Sequence, residues 1–97
     1  MPTKQNLSEL LQGEMTSKET IDIVFNDLEN QLLDKREVIV DFKNIIFISV
    51  YFLERLEKFV EKGKSLSVEI KIINVNPDVY KVFQVGRVKS ILDSCCD

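Results

Sequence analysis

The chain has 97 residues, of which 44% are hydrophobic, and this is enough for one compact core but too little for two. Charged residues make up 30%, the formal net charge is -3, and the lysines are interleaved with acidic side chains. Such a surface repels a nucleic-acid backbone, so we expect no nucleic-acid partner. We expect a single domain over residues 1–97, with a short helix and loop in residues 1–15 and a frayed tail in residues 93–97.

Three features of the sequence indicate the compartment. No segment approaches the roughly 20 apolar residues of a membrane span, and the start of the chain, MPTKQNLSEL, lacks the apolar core of a secretory signal. Cys95 and Cys96 are adjacent, so a bridge between them would be strained and would close no useful loop. Free thiols are typical of a reducing compartment, and we therefore expect a cytoplasmic protein with no membrane insertion.

Two capping patterns predict helices in the first third of the chain. NLSELLQG predicts a short helix over Leu7–Gln12, with Asn6 as its N-cap and Gly13 as its stop. TSKE predicts a second helix start, with Thr16 as the cap and Glu19 three residues later. The second helix carries an apolar stripe at helical spacing, formed by Ile21, Val24, Phe25, Leu28 and Leu32.

The middle of the chain alternates between strand and helix patterns. EVIVDF predicts a strand over Glu37–Phe42, and its nearly continuous apolar run is typical of a strand covered on both faces. IIFI then continues as extended chain to Ser49. The next helix is predicted to end at Gly63. SVEIKIINV alternates apolar and charged residues, which indicates a strand nearer the sheet edge. The helix between these strands has an apolar stripe of Phe52, Leu53, Leu56, Phe59 and Val60.

Two further helices are predicted near the C-terminus. NPDVYKVFQV starts a helix, because Asn76 is a good N-cap and Pro77 suits the first helical position. Gly86 interrupts this pattern, and RVKSILDS predicts a short closing helix. The order strand, helix, strand implies a right-handed parallel crossover. The closing helix should turn three apolar residues inward, namely Val88, Ile91 and Leu92.

Residue types that carry chemistry are scarce. The chain has no histidine, and its three glycines lie far apart, so no glycine-rich loop can hold a phosphate. Cys95 and Cys96 lack the spacing of a zinc site or a thioredoxin-type motif. Asp41 at a strand end is a candidate catalytic carboxylate, but a turn residue that accepts a hydrogen bond from its own backbone is more common there. We therefore expect no enzyme, no catalytic residue, no metal and no cofactor.

The order of these elements resembles a known family. The chain resembles a STAS domain, the fold of bacterial anti-sigma factor antagonists, in the order of its segments. These segments are a helix, the stretch VIVDFKNIIFIS, a second helix, the stretch IKIINVNPDVYKVF, and a glycine before a last apolar turn. The chain is more similar still to a divergent STAS-like family of unknown function. The resemblance spans Thr16 to Leu92 and includes IINVNPDVYKVFQVG over Ile72–Gly86. It implies a small STAS-like α/β fold with a mixed sheet, a right-handed βαβ crossover and flanking helices.

The N-terminus departs from the family pattern. STAS domains usually begin with a pair of strands, whereas the residues before Thr16 are too few and too helical to supply both. We therefore expect a sheet of about three or four strands with an exposed edge that is open to a partner or to a second copy of the chain.

A second departure concerns phosphorylation. In STAS domains an apolar stretch leads to a Ser-Ser-Gly or Ser-Thr-Gly turn, whose second hydroxyl residue is phosphorylated by a partner kinase. The alignment of FIS with the family places Ser49 at the aspartate and Val50 at the first serine. It places Tyr51 at the phosphorylated hydroxyl and Phe52 at the glycine. The usual phosphoacceptor is thus absent, and a serine kinase is not expected to accept the longer tyrosine. Ser49 is the remaining candidate phosphosite, but its commoner role is that of a helix N-cap.

The resemblance also places a partner at this corner. On an ideal helix Tyr51 lies about 140° from the centre of the buried face, so we expect it to be largely exposed among Glu54, Lys58 and Lys62. An exposed tyrosine suits an interface anchor. The predicted partner-binding residues are Ser49, Val50, Tyr51, Glu54, Arg55 and Lys58.

Two classes of function follow from the resemblance. The first is a small non-enzymatic regulatory module of bacterial-type signalling, which binds a protein partner such as a histidine-kinase-like ATPase or an anti-sigma-type kinase. The alternative is a constitutive structural STAS subunit of a transporter or another complex. Homodimerisation through the sheet edge is a further hypothesis.

Overall fold

The computed structural model describes residues 3–12 and 16–95, and these residues form an α/β fold of three strands and five helices. The predicted fold class is therefore confirmed. The elements in chain order are β1 (Thr3–Asn6), α1 (Leu7–Leu11), α2 (Lys18–Gln31), β2 (Glu37–Asp41), α3 (Val50–Ser65), β3 (Glu69–Ile73), α4 (Pro77–Val85) and α5 (Lys89–Ser94).

The sheet has the order β1-β2-β3, and both strand pairs are parallel. Within the described residues the sheet is thus parallel rather than mixed. The sequence did not predict β1, because TKQN is short and polar and its last residue, Asn6, also caps the following helix. Parallel neighbours require crossovers, and here α1 and α2 connect β1 to β2 while α3 connects β2 to β3.

The two faces of the sheet differ in burial. Val38 and Val40 on β2, with Ile70 and Ile72 on β3, point into the core, as the register pairs them in rows. Ile39, between the two valines, is only half-buried. The prediction that β2 is covered on both faces was therefore wrong. The less covered face instead carries ion pairs such as that between Lys71 and Glu37, at 3.1 Å.

Side-chain caps start the first two helices. Asn6 caps α1 as predicted, since its side chain accepts a hydrogen bond from the Glu9 backbone N–H. The cap of α2 is Ser17 rather than Thr16, because the Ser17 hydroxyl is the one that accepts from the N–H of Thr20, at 3.3 Å. The predicted stop at Gly13 lies outside the described residues.

The central helix α3 is longer than its sequence predicted. It runs through Gly63 and ends at Ser65, so the predicted stop was wrong. Gly63 is buried against β3, and a Cβ atom there would lie 2.3 Å from Ile70 Cδ1. The glycine thus permits close approach of helix and strand rather than ending the helix. Residues 42–49, which include the predicted extended stretch IIFI, form a loop, whose first residue still donates a backbone hydrogen bond from the Phe42 N–H to the Ile73 carbonyl at 2.9 Å.

The C-terminal elements follow the prediction more closely. Asn76 caps α4 by accepting from the Asp78 backbone N–H, and Pro77 is its first residue. Helix α5 extends to Ser94, and Cys95 forms an isolated parallel bridge with Ile72 on the outer side of β3. Residues 93–95 are therefore ordered structure rather than frayed tail, while residues 96–97 lie outside the described part.

The core is built around a chain of aromatic rings. Phe52 on α3 packs edge-to-face against Phe25 on α2, with centroids 5.2 Å apart, and against Phe42 after β2, at 6.1 Å. Phe42 in turn contacts Phe83 on α4. Phe52 therefore couples α2, α3 and the sheet. Among the described residues, no helix is both long enough and apolar enough to span a membrane.

Candidate functional site

The N-terminus of α3 forms the corner at which the sequence predicts a partner. Ser49 precedes the helix in extended conformation, and its hydroxyl accepts a hydrogen bond from the Phe52 backbone N–H at 3.1 Å. This confirms the predicted N-cap role. The cap satisfies one of the backbone donors that every helix start leaves without an intrahelical partner.

Tyr51 does not project into solvent as predicted. Its ring is half-buried against the core, and its hydroxyl donates a hydrogen bond to Asp22 Oδ1 on α2. Lys18 Nζ lies 5.3 Å from the ring centroid, within range of a cation–π contact. The prediction of exposure was wrong because the helical wheel located only the centre of the buried face of α3, whereas α2 also covers its flank.

The bond to Asp22 affects the chemistry of the phenol. The pKa of Tyr51 lies above its ordinary value of 10.0, mainly because the hydroxyl donates to a carboxylate, and further because of desolvation and the negative charge of Asp22. At neutral pH the tyrosine is therefore a protonated donor that joins α2 to α3.

Arg55 continues this connection one turn further along α3. One guanidinium nitrogen donates to Asn26 Oδ1 at 3.0 Å, and ion pairs reach Asp22 at 3.4 Å and Glu29 at 3.5 Å. Its side chain is only 14% exposed, so Arg55 does not form the solvent rim that was predicted. We call this set the α2–α3 polar network, and it comprises Asp22, Asn26 and Glu29 on α2 with Tyr51, Arg55 and Lys62 on α3.

The network is only partly hydrogen-bonded. Arg55 Nε and Glu29 Oε2 are buried and make no hydrogen bond within the described residues. They interact through the longer ion pairs instead, with Lys62 contributing a further contact to Glu29 at 3.7 Å. Such contacts fix the relative position of two helices, although their net contribution to stability is smaller than that of a fully satisfied network.

The predicted partner-binding residues therefore divide into two groups. Tyr51 and Arg55 turn towards α2, and Ser49 is engaged in the cap. Val50 is 74% exposed, and Glu54 and Lys58 are also exposed. The outward surface of the corner is thus formed by one apolar and two charged side chains. That this surface binds a partner stays a prediction.

The opposite flank of α3 contains an apolar groove that the sequence analysis missed. The groove encloses about 400 Å³ between α3 and α4, and Val85 on α4 is 79% exposed at its side. Asp78 and Lys81 are the charged residues that border it. The apolar lining of this α3–α4 groove consists of Val50, Leu53, Val82, Val85 and Gly86.

A signal for this groove was present in the sequence of α4. Val79 and Phe83 supply the buried face of the helix, whereas Val82 and Val85 lie on its other side and are exposed. A helix on the surface of a globular protein usually has a polar outer face. Apolar residues on both sides of α4 therefore indicated a surface feature beyond core packing.

Asp41 at the end of β2 has the structural role that the sequence favoured. Its Oδ1 accepts from the Lys43 backbone N–H and from Asn74 Nδ2, both at 2.9 Å, and its Oδ2 lies 3.4 Å from Lys4 Nζ on β1. Burial opposes ionisation, but the bonds from Asn74, Lys43 and Lys4 outweigh it and hold the pKa below the usual range. This carboxylate thus connects β1, the loop after β2 and the loop after β3.

A cavity of about 550 Å³ lies beside Asp41 at the carboxyl ends of β2 and β3, where open α/β sheets commonly bind ligands. Amide and aliphatic side chains such as Asn44, Asn74 and Ile46 line it. Within the described ranges, no group of three or more histidine, cysteine, aspartate or glutamate residues is placed to hold a metal.

Comparison with known proteins identifies one family. The family model of the STAS domain matches residues 11–95, which include the α2–α3 polar network and the α3–α4 groove. Strand β1 precedes the matched range. The searches of curated proteins and of solved structures found no match.

Proposed function

Because the chain belongs to the STAS domain family, we propose that it is a small non-enzymatic regulatory module that binds a protein partner in bacterial-type signalling. The family is associated with anti-sigma factor antagonists and with transporter domains. We propose a cytoplasmic setting and a histidine-kinase-like ATPase or an anti-sigma-type kinase as the partner.

The observation that carries this proposal is the hydrogen bond from the Tyr51 hydroxyl to Asp22. The resemblance of FIS to the family turn predicts that Tyr51 lies at the phosphorylated hydroxyl, and in the structure its own hydroxyl donates to Asp22. The same resemblance predicts that Val50 takes the place of the other hydroxyl residue of the turn. The corner is therefore held in one arrangement by contacts within the chain, and this supports a module whose docking does not depend on phosphorylation of the turn.

The proposed docking surface comprises the six predicted residues in two roles. Val50 is the exposed apolar contact, and Glu54 and Lys58 provide charges at its edge that favour a complementary partner. Ser49, Tyr51 and Arg55 lie behind them and hold α3 in position.

Affinity capture from native lysate, followed by mass spectrometry, tests the proposal when it compares V50D with a matched control. Ile23 on α2 is 69% exposed, so I23D introduces the same charge at a similarly exposed apolar residue outside the surface. We expect an ATPase that the native protein and I23D both retain and that V50D loses, with an affinity at least about tenfold lower in titration calorimetry. Equal binding by V50D and the native protein would place the docking surface elsewhere.

Phosphorylation is tested with the same partner. We expect no phosphate on Ser49 after incubation with the captured kinase and ATP, because its hydroxyl caps α3. Detection of phosphoserine at this position by mass spectrometry would instead make Ser49 the switch of the module.

The second candidate function is a constitutive structural subunit of a transporter or another complex. The bond between Tyr51 and Asp22 favours it equally, because a constitutive subunit needs no switch. Recovery of a membrane transporter complex in the capture experiment, in place of an ATPase, would support this alternative.

A further inference from the structure

The α3–α4 groove has both raised and recessed parts. Val50 and Val85 are 74% and 79% exposed, which is unusual for two aliphatic side chains on one small surface. Leu53 lies half-buried in the groove between them. The same patch therefore offers apolar side chains that protrude and a recess that can accept one.

Gly86 lines the recess at the end of α4, where Leu53 packs against it. Its φ of -74° lies in the ordinary helical range, so its backbone conformation does not require glycine. A Cβ atom at this position would lie 3.1 Å from Leu53 Cδ2 and 3.2 Å from the Val82 carbonyl oxygen. The missing side chain thus lets Leu53 pack closely against the end of α4, and the recess is the open space beside this contact.

The border of the groove carries charges of both signs. Asp78 and Lys81 are one turn apart on α4, both are exposed, and neither forms an ion pair within the residues that the structure describes. A surface with one free acid and one free base is complementary in charge to a second copy of itself.

We propose that two copies of this chain associate through the α3–α4 groove about a two-fold axis. Val85 of each copy enters the recess beside Leu53 and Gly86 of the other, and Asp78 of each copy faces Lys81 of the other. A foreign apolar helix would use the recess alone, whereas a second copy also uses the protruding valine and both charges. Seven residues line the groove, against the roughly 20–30 that each partner contributes to a standard interface, so the dimer is weak.

This proposal goes beyond the proposed function, and its test needs no partner. Sedimentation of the purified chain is measured from about 10 μM to about 1 mM, the range in which weak interfaces associate. We expect the native protein to change from monomer to dimer over this range. We expect V85E to weaken the dimer at least about tenfold, because it places a charge in the apolar recess.

The charge pairing is tested by reversal. D78K alone and K81D alone should each weaken the dimer, because like charges then face each other twice. An equimolar mixture of D78K with K81D should regain dimer, since opposite charges face each other again in the mixed pair. Both residues are exposed on α4, so circular dichroism should show unchanged folding for each variant.

Three outcomes would overturn the proposal. A native protein that remains monomeric at about 1 mM excludes the dimer, and a monomer that binds an amphipathic helical peptide in the groove assigns it to another occupant. A dimer that V85E and both reversals leave unchanged uses a different surface. Val50 belongs to both surfaces, but Val85, Asp78 and Lys81 lie outside the docking surface proposed above, so a failure of the dimer leaves the comparison of V50D with I23D unaffected.

Discussion

The two flanks of α3 differ in almost every physical respect. The flank towards α2 carries polar and charged side chains, yet Tyr51 is half-buried and the Arg55 side chain is only 14% exposed, because both turn towards α2. The flank towards α4 carries aliphatic side chains, yet Val50 and Val85 there are largely exposed. Residue type alone therefore predicts the wrong solvent exposure on both flanks of α3, because exposure depends on which neighbouring helix covers each flank.

The largest expected effect lies between the two flanks, at Phe52. F52A should lower the free energy of unfolding by roughly 3–5 kcal/mol, because the ring is fully buried and its loss leaves a cavity in the aromatic core. Urea unfolding measures this change. V50A, one residue earlier and exposed, is the control and should change stability by less than about 0.5 kcal/mol. The reverse order of effects would mean that α3 is rotated about its axis.

The second-largest loss of stability should come from a substitution on the flank towards α2. R55A should lower the free energy of unfolding by roughly 1–3 kcal/mol, because Glu29, which is only 8% exposed, then loses one of its partners. K58A removes a cation from the exposed side of the same helix and should lie within about 0.5 kcal/mol of the native protein in urea. Equal effects of the two variants would show that the network contributes nothing to folding.

A smaller effect on the same flank is expected from the Tyr51 hydroxyl. Y51F keeps the ring and removes the donor to Asp22, so its thermal midpoint should fall by less than that of R55A. Because the pKa of Tyr51 is raised in the folded state, its contribution is fully present below pH 10.0 and is lost as the pH rises through the folded pKa.

That pKa can be measured directly once the second tyrosine is removed. In Y80F, where Tyr51 is the sole tyrosine, absorbance of tyrosinate should titrate with a midpoint above 10.0. Adding D22N should lower this midpoint, since it removes the carboxylate that raises the pKa. An unchanged midpoint would contradict the bond between Tyr51 and Asp22.

The smallest change in stability should come from a substitution on the flank towards α4. V85S removes an apolar side chain that is 79% exposed, so stability in dilute protein should change by less than about 0.5 kcal/mol in urea. A loss above about 1 kcal/mol would show that Val85 belongs to the core of the monomer, and the contrast between the two flanks would then fail.

The sequence predicted most elements because their signals are local. Asn6, Ser49 and Asn76 each cap a helix as expected, since capping depends on a side chain and a backbone N–H only two or three residues later. The buried stripe of α3 was also correct at Phe52 and Phe59. These features need no knowledge of the tertiary fold.

The errors arose where tertiary contacts decide the outcome. Gly63 has the sequence signature of a helix stop, but contact with Ile70 makes it a packing position within α3. Tyr51 was predicted to be exposed because its bond to Asp22 joins residues 29 positions apart in the chain. Strand β1 is stabilised by pairing with β2 rather than by its own polar residues, so no local pattern indicated it.

Asp41 makes the acid tolerance of the domain depend on its first strand. Lys4 contributes both a bond and a positive charge to this carboxylate, whose lowered pKa stabilises the fold above pH 3.8 and loses that contribution as the pH falls through the folded value. K4A should therefore move acid unfolding, followed by circular dichroism, to a higher pH. Resistance to acid thus rests in part on a four-residue segment that lies outside the range matched by the family.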